Sequence, residues 1–452
     1  MDALTLLPPI TAILIAVLTR NVYAALILAL VISETLLASF NPGTGLLQAI
    51  DRNVAVLTDG GNARILLFCL LIGALIAFMR DSGGVAAMAR SLIRRGFAKT
   101  PRRAELAVAA TGSAVFVETN VSLLSAGILG RPLYDAHGLS RERLAYIIDS
   151  TSAPISVIFL INAWGAYALG LIEPYGFSEP VGVVAGSVAW NFYALITLLI
   201  VYLTAFSGRV FGPMKTADHK VSSSTDDSMT EATKAIYMGL PLIVLVGGAL
   251  AFMVWTGNGN ILEGSGSQSI LWAIILAIVV AGVLLLFDRV YSAQELQQKA
   301  FDGIGEMVPL VTVLLLSIAL GASVRELGTG TYVADLATGN LPPFTVPAIL
   351  FLAGAAMSFM TGTSWGTYGI LVPIAMPLAQ ALGIPPSLAL GAVLGGGVFG
   401  DHCSPISDTT VIASVAAGTD LLDHVRTQLP YALTAAALAV ILYLVAGGLT
   451  AG

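Results

Sequence analysis

Charge and cysteine are what this chain has least of. Asp, Glu, Lys and Arg make up 11% of its 452 residues, against 56% hydrophobic residues. That balance excludes an ordinary soluble domain and predicts a polytopic protein whose first partner is the lipid bilayer. The two cysteines, Cys69 and Cys403, both fall in apolar stretches, which excludes a disulfide framework and a zinc site. Neither Lys nor Arg precedes the first apolar run, in MDALTLLPPI, so no cleavable signal peptide is expected and the first segment stays. The net charge of −6 comes with no basic patch interleaved with aromatics, so nucleic acid is not an expected partner. The chain has no HExxH, and Gly397-Val398-Phe399-Gly400 stands ahead of Asp401 where an intramembrane aspartyl protease needs GxGD. An enzyme is not expected, nor a cofactor.

What is there is a succession of apolar runs of about the 20 residues that a bilayer requires. They lie near 3–19, 22–40, 64–80, 181–206, 235–255, 269–287, 307–324 and 430–450. Four further regions, 104–130, 144–170, 344–383 and 385–418, are apolar but interrupted by polar residues. The longest polar stretch, 207–234, reads as a cytoplasmic linker between two halves, 1–206 and 235–452.

The halves repeat each other. Leu7-Pro8-Pro9-Ile10 answers Leu240-Pro241-Leu242-Ile243, Arg80-Asp81-Ser82-Gly83 answers Arg325-Glu326-Leu327-Gly328, Thr111-Gly112 answers Thr361-Gly362, and Ala153-Pro154-Ile155-Ser156 answers Ser404-Pro405-Ile406-Ser407. Four matches in one order point to an internal repeat, the usual construction of secondary transporters. Positive charge sets its sense. Both flanks of 104–130 carry arginines, including Arg102, Arg103, Arg131, Arg141 and Arg143, whereas the flanks of 344–383 carry neither Lys nor Arg. The first hairpin should therefore enter from the cytoplasm and the second from outside. Threaded with the N-terminus outside, the chain places 18 of its 21 basic residues inside and leaves Arg52, Arg64 and Arg325 outside. The expected fold is an all-α polytopic membrane protein, an inverted-repeat transporter with two re-entrant hairpins and two broken transmembrane helices (144–170 and 385–418) among ten spanning segments.

The polar interruptions carry the chemistry. The stretch Gly397 to Ser414 sets Asp401, His402, Ser404, Ser407, Asp408, Thr409 and Thr410 around Pro405 inside an apolar region. A carboxylate at the bilayer centre costs roughly 2.5–3.5 kcal/mol on the mildest scale, so two of them require a reason beyond packing. Glycines before the stretch and the proline within it predict a broken helix that frees backbone groups to face a solute. Three other interruptions should meet it near the midplane. The first hairpin brings Thr111, Gly112, Ser113, Glu118 and Asn120; the first broken helix brings Asp149, Ser150, Thr151, Ser152 and Ser156; the second hairpin brings Thr361, Gly362, Thr363, Ser364 and Trp365. Hydroxyls, carbonyl oxygens and half-helix dipoles make the hard, oxygen-rich surroundings that a small cation requires. A carboxylate in a dehydrated site also holds a proton, so one group can bind either ion.

Each residue has a structural alternative. Asp401, Asp408 and Asp149 would serve as helix caps, His402 as hydrogen-bonded scaffold, and Trp365 as packing rather than as a cover over a cation. Glu34 would hydrogen-bond a neighbouring helix. Gly395 to Gly397 would allow close helix approach, and Arg80 and Arg325 would anchor the membrane interfaces.

The stretch Gly400-Asp-His-Cys-Ser-Pro-Ile-Ser-Asp-Thr-Thr410, with Gly362-Thr-Ser-Trp-Gly-Thr367 upstream, resembles the signature of the NhaC family of sodium/proton antiporters within the ion-transporter superfamily. Leu144-Ala-Tyr-Ile-Ile-Asp-Ser-Thr-Ser-Ala-Pro154, followed by Trp164-Gly-Ala-Tyr167, resembles the family's corresponding region in the first half. The resemblance implies a scaffold domain and a mobile transport domain, the plasma membrane of a bacterium or archaeon, and often a homodimer. Where many longer relatives carry an acidic pair with an aromatic in the first hairpin, this chain has Val117-Glu-Thr-Asn-Val-Ser122, with one charge. The expected activity is exchange of Na⁺, or Li⁺, for H⁺, with Asp401 and Asp408 holding the transported Na⁺ and Ser404, Ser407 and Thr409 as oxygen ligands. The family also includes exchangers of malate and lactate and proposed amino-acid transporters, so a Na⁺- or H⁺-coupled carrier of a small organic solute is the alternative. No Lys or Arg lies inside the expected site to pair with a carboxylate, which favours a cation. Opposed hairpins suit alternating access better than a passive channel.

Overall fold

The computed structural model of the chain describes residues 3–19, 21–84, 87, 100–116, 119–217, 233–259, 264–329, 332 and 341–450. Among these the regular structure is helical throughout. The first half runs α1 (Leu7–Thr19), α2 (Val22–Leu37), α3 (Pro42–Thr58), α4 (Gly60–Asp81), the hairpin α5 (Pro101–Ala114) and α6 (Thr119–His137), the broken helix α7 (Arg141–Ser156) and α8 (Ala163–Ile172), and the bent pair α9 (Pro180–Trp190) and α10 (Phe192–Ser207). The second half runs α11 (Ile236–Thr256), α12 (Gly266–Phe287), α13 (Ala293–Glu326), the hairpin α14 (Val346–Thr361) and α15 (Ser364–Ala381), the broken helix α16 (Pro386–Cys403) and α17 (Asp408–Ala417), and α18 (Leu421–Thr450). Each half thus passes from simple helices through a hairpin and a broken helix to a closing helix. Six helices among the described residues are long and apolar enough to cross a bilayer alone, and two bent pairs raise that to eight.

Composition explains where each element sits. α7 and α16 are buried on nearly every side, so the polar side chains of α7 must find their partners inside the protein. α11, α12 and α18 instead expose Ile243, Trp255, Val283, Phe287, Leu438 and Ile441 outward, a surface suited to lipid. Residues 42–58 had no assigned role in the apolar pattern. They form an amphipathic helix bent 118° from α2, which exposes Leu46, Leu47, Ile50, Val54 and Leu57. Ser39 and Phe40 take positive φ at the bend, and Asn41 caps the new helix by accepting from the Thr44 N–H at 3.2 Å. Apolar residues spaced in this way suit a helix lying in the membrane interface.

The hairpins open at opposite ends of the molecule, and α18 measures the separation. Its 30 residues span about 45 Å at 1.5 Å per residue. Near its start, Tyr431 OH accepts from the Phe211 N–H at 2.8 Å. At the same end, the last carbonyls of α17 accept from Arg131 (Ala416 O, 2.8 Å) and Arg141 (Ala417 O, 3.0 Å), residues at the base of the first hairpin. Near its far end, Gly447 lies against the Phe344 backbone at the base of the second hairpin. α13 separates the same two ends. Toward its start Lys299 pairs with Asp81 (2.9 Å), about two turns further on Glu306 pairs with Arg80 (2.8 Å), and at its finish Glu326 takes Arg52 (2.8 Å), which also holds Glu34 at 2.7 Å. Arg325 donates to the Pro174 carbonyl at that end.

Candidate coupling site

The second hairpin docks on the broken helix through glycine. Gly362 ends α14 at φ +71°, and a Cβ there would stand 2.5 Å from Ile406 O, so the tip rests directly on the break between α16 and α17. Gly400 brings α16 equally close to α14: its Cβ would lie 2.2 Å from Phe359 N. Ser404 Oγ donates to Phe359 O at 2.7 Å and ties the two elements together.

This close approach assembles a hydroxyl cage around one carboxylate. Asp401, at the end of α16, is 3% exposed. Ser364 Oγ donates to its Oδ2 and Ser407 Oγ to its Oδ1, both at 2.7 Å. Thr409 Oγ1 lies 3.4 Å from Oδ1, 3.0 Å from Ser407 Oγ and 3.0 Å from the Asp401 main-chain oxygen, which also accepts from Thr410 Oγ1 at 3.0 Å. The ligands come from the start of α15, the break and the first turn of α17. Asp408 takes another position. It is exposed in the first turn of α17, accepts the Thr409 N–H at 3.0 Å and faces a cavity.

That cavity has a volume of about 300 Å³, and Thr119, Asn120, Ala163, Trp164, Thr363, Trp365 and Asp408 line one side of it. These residues stand at the starts of α6, α8, α15 and α17, so four helix N-termini, each with a partial positive charge, converge there. Tyr23 of α2 and Glu306, Met307 and Leu310 of α13 line the other side. The Trp164 and Trp365 rings stack at 3.8 Å, Tyr167 and Tyr368 meet the pair edge-on, and Tyr167 OH donates to Trp365 O at 2.7 Å. Trp365 therefore both packs and borders the space. Asn120 Oδ1 has no hydrogen-bond partner among the described residues. Thr363 and Asp408 face the cavity while their neighbours Ser364 and Ser407 hold Asp401, so the two features share a wall.

The first broken helix supplies a second polar cluster. Asp149, fully buried in α7, accepts at Oδ2 from Gln428 Nε2 (2.9 Å) and lies 3.1 Å from His424 Nε2. Gln428 Nε2 also donates to the His402 carbonyl. The His402 ring is committed on both sides, with Nε2 2.9 Å from Ser150 Oγ and Nδ1 2.8 Å from Tyr193 OH. Thr151 and Ser152 donate back to Ile147 O and Ile148 O, and Ser152 meets Ser122 Oγ of α6 at 2.7 Å, fastening α7 to the first hairpin. Thr361 Oγ1 donates to Met357 O at 2.9 Å within its own helix, which places it outside the Asp401 cage. Glu118 lies outside the described residues. His424, Gln428 and Tyr193 were not among the residues that the sequence singled out. The signal for the first two was a His and a Gln one helical turn apart just ahead of an apolar run.

The sequence model of the Na⁺/H⁺ antiporter family matches residues 158–448. An uncharacterised protein of Haemophilus influenzae is 33% identical over 98% of this chain and 90% of its own length. The malate-2H⁺/Na⁺-lactate antiporter of Bacillus subtilis is 37% identical over a segment covering 36% of this chain and 35% of that protein. Among solved structures, the YdaH transporter of Alcanivorax borkumensis, described as having an unusual topology, superposes with a TM-score of 0.66 at 17% identity, over 90% of each chain. The fold is thus that of a transporter, and the chain is a multi-pass secondary transporter that belongs to the Na⁺/H⁺ antiporter family.

Proposed function

We propose that the protein exchanges Na⁺ for H⁺ across a prokaryotic plasma membrane, with Asp401 as the coupling carboxylate. The observation that supports this reading is the convergence of Ser364, Ser407 and Thr409 on one buried carboxylate. Hydroxyl oxygens and a carboxylate form a hard donor set suited to a small cation. A carboxylate sealed from water does not remain ionised without a compensating charge. Asp401 therefore crosses the membrane carrying Na⁺ or H⁺, and that obligation couples the two flows. Because the hairpin tip and the break carry the ligands between them, any rearrangement of α14 and α15 against α16 and α17 opens or closes the cage.

A second reading has its own support. A cavity of about 300 Å³ exceeds what a bare cation needs and matches the lower range of small-molecule sites. Four helix N-termini face a solute there, opposite Glu306, which is paired with Arg80, and beside Asp408, and the Bacillus subtilis relative is described as exchanging organic anions together with Na⁺ and H⁺. On this reading the Asp401 cage binds the coupling ion and the cavity binds the solute.

One experiment tests both. Proton movement is followed with a pH-sensitive dye in proteoliposomes as Na⁺, Li⁺, K⁺ and then amino acids and small carboxylates are added, for wild type and Asp401→Asn. Na⁺ alone should move protons in the wild type and not in the variant. Proton movement that waits for an organic solute would establish the second reading. Na⁺-driven movement retained in Asp401→Asn would remove Asp401 from the mechanism.

A further inference from the structure

A buried carboxylate and imidazole stand apart from the Asp401 cage with hydrogen-bonding capacity unspent. Asp149 and His424 are both 0% exposed and 3.1 Å apart. Neither Asp149 Oδ1 nor His424 Nδ1 has a hydrogen-bond partner among the described residues. Scaffold pairs are normally satisfied more fully, because an unpaired polar atom in the interior is costly. In this same chain, His402 is bonded at both ring nitrogens.

We propose that Asp149 and His424 form a second proton site, which carries a further H⁺ per transport cycle beside the one that Asp401 exchanges. The proposal rests on the Na⁺/H⁺ reading above. With one shared proton the pair is neutral, either as carboxylate and imidazolium or as carboxylic acid and imidazole. Loss of that proton leaves a net negative charge in the interior. The ionisable groups around Asp149 are His402, Cys403 and Asp401 of α16, Tyr193 of α10 and Asp408 of α17, besides His424 itself. Two of these are carboxylates that repel such a charge.

Na⁺ and H⁺ neutralise Asp401 alike, so the coupling between the sites is structural. Na⁺ gathers the Ser364, Ser407 and Thr409 oxygens around Asp401 where a proton does not, and that rearrangement is what reaches the pair. The link between the sites is short: Gln428 donates to both Asp149 and the His402 carbonyl, and Asp401 is the residue before His402. Access to water is close as well. His424 sits in the first turn of α18, and its N–H donates to Asp420 O at 2.9 Å, with Asp420 and Asp423 exposed. The proton enters from water at this end and returns to water, so no other reactant is consumed.

The test is the number of protons moved per Na⁺, read in proteoliposomes from the membrane potential, clamped with K⁺ and valinomycin, at which Na⁺-driven flux reverses. Wild type should move two protons per Na⁺ and respond to the potential. His424→Gln and Asp149→Asn should each move one, lose the response to potential, and retain Na⁺/Na⁺ counterflow with an apparent KM within about threefold of wild type. A wild-type ratio of one overturns the proposal without any variant, which covers a variant that fails to fold. A variant that keeps the wild-type ratio, or one that folds but loses counterflow, overturns it too. Absence of any Na⁺-driven proton movement in the wild type would instead count against the Na⁺/H⁺ reading.

Discussion

Removal of single hydroxyls from the Asp401 cage gives the sharpest test of the proposed Na⁺ site. Ser364 and Ser407 each donate at 2.7 Å to a different oxygen of a carboxylate that is 3% exposed. A hydrogen bond to a charged group contributes about 1.5–3 kcal/mol net. At 1.4 kcal/mol per decade, loss of one should weaken Na⁺ binding about 10- to 150-fold. The sign follows from the states involved. Na⁺ binds the ionised carboxylate, which these donors stabilise, whereas the protonated carboxyl is neutral and depends on them less. Ser364→Ala and Ser407→Ala should therefore raise the apparent KM for Na⁺ in the dye assay while maximal Na⁺-driven flux persists at saturating Na⁺. Thr410→Val is the comparator: its hydroxyl bonds the Asp401 main-chain oxygen, so its KM should stay near wild type. If both serine variants kept the wild-type KM while Asp401→Asn remained inactive, the carboxylate would be acting without its cage and the ligand assignment would be wrong.

Three further outcomes concern the scaffold. Gly400→Ala would put a Cβ 2.2 Å from the Phe359 backbone nitrogen, which cannot yield as a side chain would, so α14 and α16 must separate at a cost of about 1–3 kcal/mol. Thermal melts followed by size-exclusion chromatography should show the loss. Gly247→Ala, with nothing among the described residues within 4 Å of the new atom, should be neutral or stabilising by up to about 1 kcal/mol. Glu105→Gln breaks a buried ion pair with Arg143 (2.8 Å, 1% and 4% exposed) and should destabilise by about 3–5 kcal/mol, whereas joint replacement of both partners by apolar residues should restore most of that. The same melts check this, and equal losses in the single and double variants would refute the burial argument.

Local features of the chain were legible where the physics is local. Gly400, Pro405 and the crowding of polar residues between Asp401 and Thr410 announced a break, and the structure interrupts the helix at 404–407. Thr361-Gly362-Thr363 announced a tip, and α14 ends there at a left-handed glycine. What spacing could not give is contact between distant segments. Ser364 and Asp401 are 37 residues apart, and only the packing of α14 on α16 shows that these two meet while Thr361, three residues earlier, does not. His424 and Gln428 were passed over because the apolar run they precede was read from 430, so their helix seemed to start after them. The interfacial helix at 42–58 escaped for a different reason. Its apolar residues are spaced for a lipid surface rather than gathered into a run, and the turn that sets it aside depends on Ser39 and Phe40 at positive φ, a conformation their residue types do not advertise.

The distribution of charge explains how a core of carboxylates can be held ready for transport. Among the described residues, the Arg and Lys ion pairs are those of Arg52, Arg80, Arg141, Arg143, Lys234 and Lys299, with Glu34, Glu105, Glu306, Glu326, Asp81, Asp135 and Asp288 as their acidic partners. None is formed with Asp149, Asp401 or Asp408. A resident arginine beside Asp401 would satisfy the carboxylate permanently, and a cation would then have to displace it at the cost of stranding a second buried charge. Serine and threonine hydroxyls behave differently. They donate to the carboxylate when it is empty and can turn their oxygens toward a cation when one arrives, so the cage serves both states without a fixed countercharge. The remaining charge must come from the cargo. On the proposed function, the hydroxyl cage is a feature of transport as much as of binding: it makes the occupied forms stable and the empty, sealed form the one to be avoided.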